Sequence, residues 1–244
     1  IYKTSSEFES KISAFFTRFT GLQYSLSYFS TKKNIQIINK KKPDIVHLHC
    51  INGNFINIYK LLNFLKMNKI KTVLTLHAEF MFTGSCAHSY DCDKWKIGCG
   101  NCPQLWEASK SYFFDRTSMA WEKMKDVFLG FNNLMIISVS PWLDKRAQLS
   151  PILKNKTFSV VKNGLDTQNI FKKSNSEKLK KKLNIKDEKV LLHVTANFSN
   201  DGDDIKGGKY IIALAHRLKA KNIKLVVIST YSKKMELPEN IIYI

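Results

Sequence analysis

Residues 44–77 read DIVHLHCINGNFINIYKLLNFLKMNKIKTVLTLH, and the reading of this stretch decides the fold class. Asp44-Ile-Val-His-Leu-His49 follows Pro43 and a lysine run, and it is short, apolar and β-branched, as a strand requires. Phe55, Ile58, Leu61, Leu62 and Leu65 then recur at three- and four-residue spacing, which places them on one face of a helix. Lys71-Thr-Val-Leu-Thr-Leu-His77 returns to strand character without strict alternation, so both of its faces are expected to be covered. Strand, helix and strand in so short a span form a βαβ unit, whose strands run parallel.

The same alternation repeats on the C-terminal side. Leu134-Met-Ile-Ile-Ser-Val-Ser140 reads as a strand, and Ser140 followed by Pro141 is an N-cap with proline at the first helical position. Thr157-Phe-Ser-Val-Val161 is a further strand that ends at the turn dipeptide Asn163-Gly164. Residues 172–189 then carry eight Lys and three acids, the composition of a solvated connector, with a short helix expected around Leu179 and Leu183. Beyond it, Lys189-Val-Leu-Leu-His-Val-Thr195 and Lys224-Leu-Val-Val-Ile-Ser229 are strands flanking a helix marked by Tyr210, Ile211, Leu214, Ala215 and Leu218. Ile241-Ile-Tyr-Ile244 begins one more. The expectation is two α/β domains with parallel sheets: 1–165, a polar linker at 166–188, and the start of a second domain at 189–244.

Composition narrows the function classes. The chain has 244 residues, 44% of them hydrophobic, which is incompatible with intrinsic disorder, and its longest apolar runs fall far short of a membrane-spanning helix. Nor does the N-terminus hold a signal-peptide core. Lys and Arg number 39 against 20 Asp and Glu, a net charge of +19, but only Arg18, Arg116, Arg146 and Arg217 are arginines. Arg is the residue for bidentate phosphate and base recognition, so a specific nucleic-acid reader is disfavoured. The lysines fit either a lysine-biased composition or a surface lying against anionic lipid headgroups, at about 1 kcal/mol per nearby Lys.

Four of the five cysteines crowd into residues 86–102, spaced C-x5-C-x6-C-x2-C. Cys86, Cys92, Cys99 and Cys102 could supply the tetrahedral sulfur shell of a structural zinc, in which Cys99-x-x-Cys102 is the usual knuckle half. Two disulfides and unpaired structural thiols are the competing readings. Cys50, at the end of the first strand, is expected to be a buried thiol.

Asp44-Ile-Val-His-Leu-His49, Thr75-Leu-His77, Phe82-Thr-Gly-Ser-Cys86, Cys92-Asp-Lys-Trp95, Gly98-Cys-Gly-Asn-Cys-Pro103 and Asn163-Gly-Leu-Asp166 with Phe171 together resemble the family 4 glycosyltransferases of bacterial capsule, exopolysaccharide and lipopolysaccharide assembly. The resemblance implies the GT-B fold, two Rossmann-like domains of which the second is truncated here, with Ile1 inside the first and Ile244 inside the second. It implies a retaining transfer of a sugar from a nucleotide-sugar donor to a glycan or lipid-linked acceptor, without a catalytic metal. It further implies a cytoplasmic enzyme, at the inner face of the inner membrane, and an inactive fragment in this chain alone. By the same resemblance His77 contacts the donor sugar or the acceptor near the reacting carbon. Lys206 and Gly207 meet the donor diphosphate where a helix begins, Asn163 and Asp166 shape an interdomain turn, and the 82–103 excursion shapes an acceptor pocket. Gly53 would let the backbone approach the acceptor or merely open a helix. The family usually has Asp after the cleft histidine. Ala78 stands in that place, so a carboxylate for acid–base work or substrate contact would have to be Glu79. The arginine often found upstream of the lysine is missing, and Asp201, Asp203 and Asp204 occupy that loop instead. Two other classes remain in play: a zinc-stabilised basic nucleic-acid-binding protein and an inactive GT-B scaffold.

Overall fold

The computed structural model describes residues 2–201, 205–232 and 236–244. The chain divides into two compact units, Ile1–Gly164 and Leu165–Ile244.

In the first unit four strands, β1 (Ile45–His49), β2 (Lys71–Leu76), β3 (Leu134–Ser138) and β4 (Thr157–Val160), form an all-parallel sheet in sequence order. Helix α3 (Ile58–Met67) crosses from β1 to β2. It starts where the sequence supplies a cap: the Asn57 side chain accepts the Lys60 N–H at 2.9 Å. Its apolar stripe, Ile58, Leu61, Leu62 and Leu65, is buried to 2% exposure or less. Helix α4 (Thr117–Phe128) and α5 (Pro141–Gln148) complete the crossovers, and Ser140 caps α5 by accepting the Leu143 N–H at 3.2 Å.

Two helices precede the sheet, α1 (Glu7–Thr20) and α2 (Tyr28–Lys41); their fully buried residues are polar, while Ile35 and Ile38 of α2 pack half-buried against the core. α1 buries Ser13 and Thr17, and α2 buries Ser30 and Thr31. Hydrogen bonds hold this junction: Ser27 Oγ donates to Ser13 Oγ at 2.9 Å, and Glu9 accepts the Phe29 and Ser30 N–H groups at the start of α2. A carboxylate at a helix N-terminus also meets the positive end of its dipole. Phe8, Phe15 and Phe16 of α1 stay exposed.

In the second unit β5 (Lys189–Phe198), β6 (Ile223–Ser232) and β7 (Ile241–Tyr243) form a parallel three-stranded sheet, with α6 (Glu177–Lys182) before it and α7 (Gly208–Leu218) between β5 and β6. Its core is small: Phe198, Ile212, Ala215, Leu225, Val227 and Ile241. Both units therefore alternate strand and helix around parallel sheets, as expected, and each is compatible with a Rossmann-like domain. Among the described residues no helix is long and apolar enough to cross a membrane.

Candidate active site

Side chains two residues apart on a strand share a face, so β1 presents His47 and His49 together. The β1–β2 register pairs His49 with Thr75, which brings Thr75 and then His77 alongside on the same face. The result is a row at the C-terminal ends of two parallel strands. His47 Nε2 lies 2.8 Å from Thr75 Oγ1, and His49 Nδ1 lies 3.1 Å from His77 Nε2. The His47 and His49 rings stand 4.1 Å apart between centroids, and those of His49 and His77 5.4 Å apart. Burial, and then the neighbouring His49 ring, hold the His47 imidazole below its ordinary value. The edge formed by the carboxyl ends of strands is where open α/β sheets take their ligands.

His77 is exposed there, as are His47 and His49. His47 and His49 had no role in the sequence reading. Their alternation at a strand end was the signal available, and the register is what joins them to His77.

Glu79 departs from expectation. Its side chain is 3% exposed and is consumed internally: Arg146 on α5 donates Nε–H to one carboxylate oxygen, and the Ser89 N–H donates to the other at 2.5 Å. Arg146 closes the triangle by donating to Ser89 Oγ at 2.6 Å, and its guanidinium lies 5.1 Å from the ring centres of both Trp95 and Trp142. A carboxylate so enclosed is not presented to a ligand. Glu79 is instead a strut that ties the cysteine-bearing excursion to α5.

That excursion is packed rather than loose. Met81, Phe82 and Trp95 are buried, and the Trp95 indole N–H donates to the Cys92 carbonyl at 2.9 Å. Gly84 is required for close approach, because a Cβ there would stand 2.6 Å from the Thr117 carbonyl oxygen and 2.9 Å from Cys99 Sγ. Cys86, Cys92, Cys99 and Cys102 all line one cavity of ≈ 20 Å³, room for about one water molecule. Burial pushes the Cys86 thiol up to about 11 and the Cys99 thiol up to about 12, so both are protonated at neutral pH. The five cysteines are unbridged, and among the described residues no three His, Cys, Asp or Glu side chains stand where one metal ion could be held. Cys50 also departs from expectation: it is exposed, at φ 46°, where the chain leaves β1.

Gly53 is exposed in the turn ahead of α3, and a Cβ there would meet only the Phe55 ring, at 2.8 Å. Asn163 and Gly164 are exposed where the first unit ends. Asp166 caps the following turn: its side chain accepts the Asn169 N–H at 2.8 Å and the Gln168 N–H at 3.2 Å, which hold its carboxyl below the usual value.

In the second unit, Lys206 and Gly207 immediately precede α7. Gly207 is the N-cap residue, at φ 78°, a left-handed conformation natural to glycine. A lysine beside a glycine N-cap adds a positive charge to the positive end of a helix dipole. Asp203 and Asp204 lie outside the described residues.

Sequence similarity relates part of the chain to a glycosyltransferase. A 68-residue stretch, 26% of the chain, is 32% identical to WcaC of Escherichia coli (strain K12), a protein provisionally named as a colanic acid biosynthesis glycosyl transferase. The match spans 17% of that relative's length. No family model matches the chain.

Proposed function

We propose that the chain is part of a retaining family 4 glycosyltransferase of GT-B type, acting in surface polysaccharide synthesis on the cytoplasmic side of the membrane. In this reading residues 1–165 serve the acceptor, 166–188 link, and 189–244 begin the nucleotide-sugar-binding domain. The observation that carries it is the exposed His77 at the carboxyl end of β2, held in a row with His49.

A neutral imidazole can accept or donate one hydrogen bond, and such a group beside the anomeric carbon steadies the sugar or acceptor hydroxyl as charge develops. Transfer breaks the anomeric carbon's bond to the diphosphate, forms its bond to an acceptor hydroxyl oxygen, and passes the hydroxyl proton to the departing diphosphate or to solvent. The departing diphosphate gains negative charge, which Lys206 and the N-terminal backbone N–H groups of α7, entered through Gly207, are suited to receive. Asn163 and Asp166 shape the turn between the units, and Gly53 offers low steric cost beside the acceptor. The acceptor is a glycan or a lipid-linked glycan, with the lysine-rich surface meeting anionic headgroups.

The test is binding and transfer with a panel of uridine- and guanosine-diphosphate sugars by the complete protein. Lys206→Ala should raise the donor Kd about 10- to 100-fold, the loss of one charge-assisted contact. Absence of donor binding across the panel would remove this reading.

A further inference from the structure

His77 ends a strand and is exposed, so nothing in its own backbone fixes its ring. Two side-chain torsions and a choice of tautomer are left to its neighbours. The neighbour on the page is His49. Its Nδ1 meets Nε2 of His77 at 3.1 Å, and its own ring is braced on the other side by His47, 4.1 Å away between centroids. His47 is anchored in turn, through Nε2, to Thr75 Oγ1 at 2.8 Å. The row therefore runs from a buried threonine through two exposed, mutually tilted rings to His77, each member in contact with the one before.

We propose that His49 is a positioning residue for His77: the hydrogen bond between His49 Nδ1 and His77 Nε2 locks the His77 ring and tautomer, and makes Nδ1 of His77 the nitrogen presented to the substrate. The proposal rests on the reading of His77 as the substrate-contacting histidine. A neutral imidazole has one N–H and one lone pair. Once Nε2 is committed to His49, the proton count on Nδ1 is decided by which ring donates, so the pair settles jointly whether His77 offers a donor or an acceptor. With no partner at Nε2 both tautomers would coexist in water, and a fraction of molecules would present the wrong atom.

The substitution series follows from shape. An Asn side chain places its amide where Nδ1 of a histidine lies, whereas a Gln amide reaches the more distant Nε2 position. In the complete protein, His49→Ala should lower kcat about 3- to 10-fold, the worth of one hydrogen bond, with the donor KM unchanged. His49→Asn should restore most of kcat and His49→Gln should not. Nitrogen-15 NMR of the imidazoles, which distinguishes the two tautomers, should show one His77 tautomer in the wild type and in His49→Asn, and a mixture in His49→Ala. The proposal is overturned if His49→Ala leaves kcat and the His77 tautomer unchanged while His77→Ala abolishes transfer. It is overturned equally if Gln rescues as well as Asn. Should His77→Ala itself leave transfer intact, the assignment of His77 has failed, and the proposal falls with it.

Discussion

In the first unit β2 and β3 bury Leu74, Leu76, Leu134 and Ile136 to 4% exposure or less, whereas β5 of the second unit leaves Leu192 at 63% and Val194 at 66%. The strands are written alike. KTVLTL in β2 and KVLLHV in β5 both open on Lys and mix aliphatic with a few polar residues without strict alternation. What differs is the cover. The first sheet has α3, α4 and α5 with their buried stripes, while the second has α7 and the six-residue α6, which buries none of its residues. A run of this kind thus reports that a strand demands cover on both faces, not that the surrounding chain provides it. The first unit should accordingly be the more stable one, with slow amide exchange in β2 and β3 and faster exchange in β5.

The largest expected effect comes from the strut. Glu79→Ala leaves the Arg146 guanidinium without its buried partner and should destabilise the first unit by about 3–5 kcal/mol. Amide exchange should accelerate across β1 to β4 and stay unchanged in β5 to β7. Equal acceleration in both sheets would break the comparison, because it would mean that the two units unfold as one. A matched pair sharpens it next. Leu74→Ala should cost about 2–5 kcal/mol in chemical denaturation, against no more than about 0.5 kcal/mol for Leu192→Ala.

The smallest effects concern the thiols. Cys50 is exposed and should be alkylated first at pH 8, well ahead of Cys86 and Cys99. Burial in the folded chain raises those two thiols above the ordinary thiol range, so the native state keeps protons that the unfolded chain releases. Stability from this source is fully present below pH 9 and is lost as the pH climbs through about 11 to 12. Alkylation of Cys86 and Cys99, followed by mass spectrometry, should accelerate over that range more steeply than that of Cys50.

All seven strands, and α3, α5 and α7, are legible in the sequence because each carries an apolar stripe, a β-branched run or a cap that acts locally. Helices α1 and α2 stand apart. Their fully buried residues are Ser13, Thr17, Ser30 and Thr31; α1 has helical apolar spacing in Phe8, Ile12, Phe15, Phe16 and Phe19, but that stripe is exposed, and α2 offers the core only the half-buried Ile35 and Ile38. At the candidate site, a histidine ending β2 is visible in the sequence, but its bond to His49 depends on strand register across 28 positions. Glu79 shows the opposite failure: a carboxylate two residues from His77 looked accessible until α5, distant in sequence, brought Arg146 onto it.

The account stands on His77, and one measurement addresses it most directly: kcat of His77→Ala in the complete protein, with circular dichroism as the check on folding. Because His77 is exposed, the fold should be unaffected, and kcat should fall about 100-fold or more, the loss expected for a group acting at the reacting centre. A folded His77→Ala protein that turns over at the wild-type rate would contradict it.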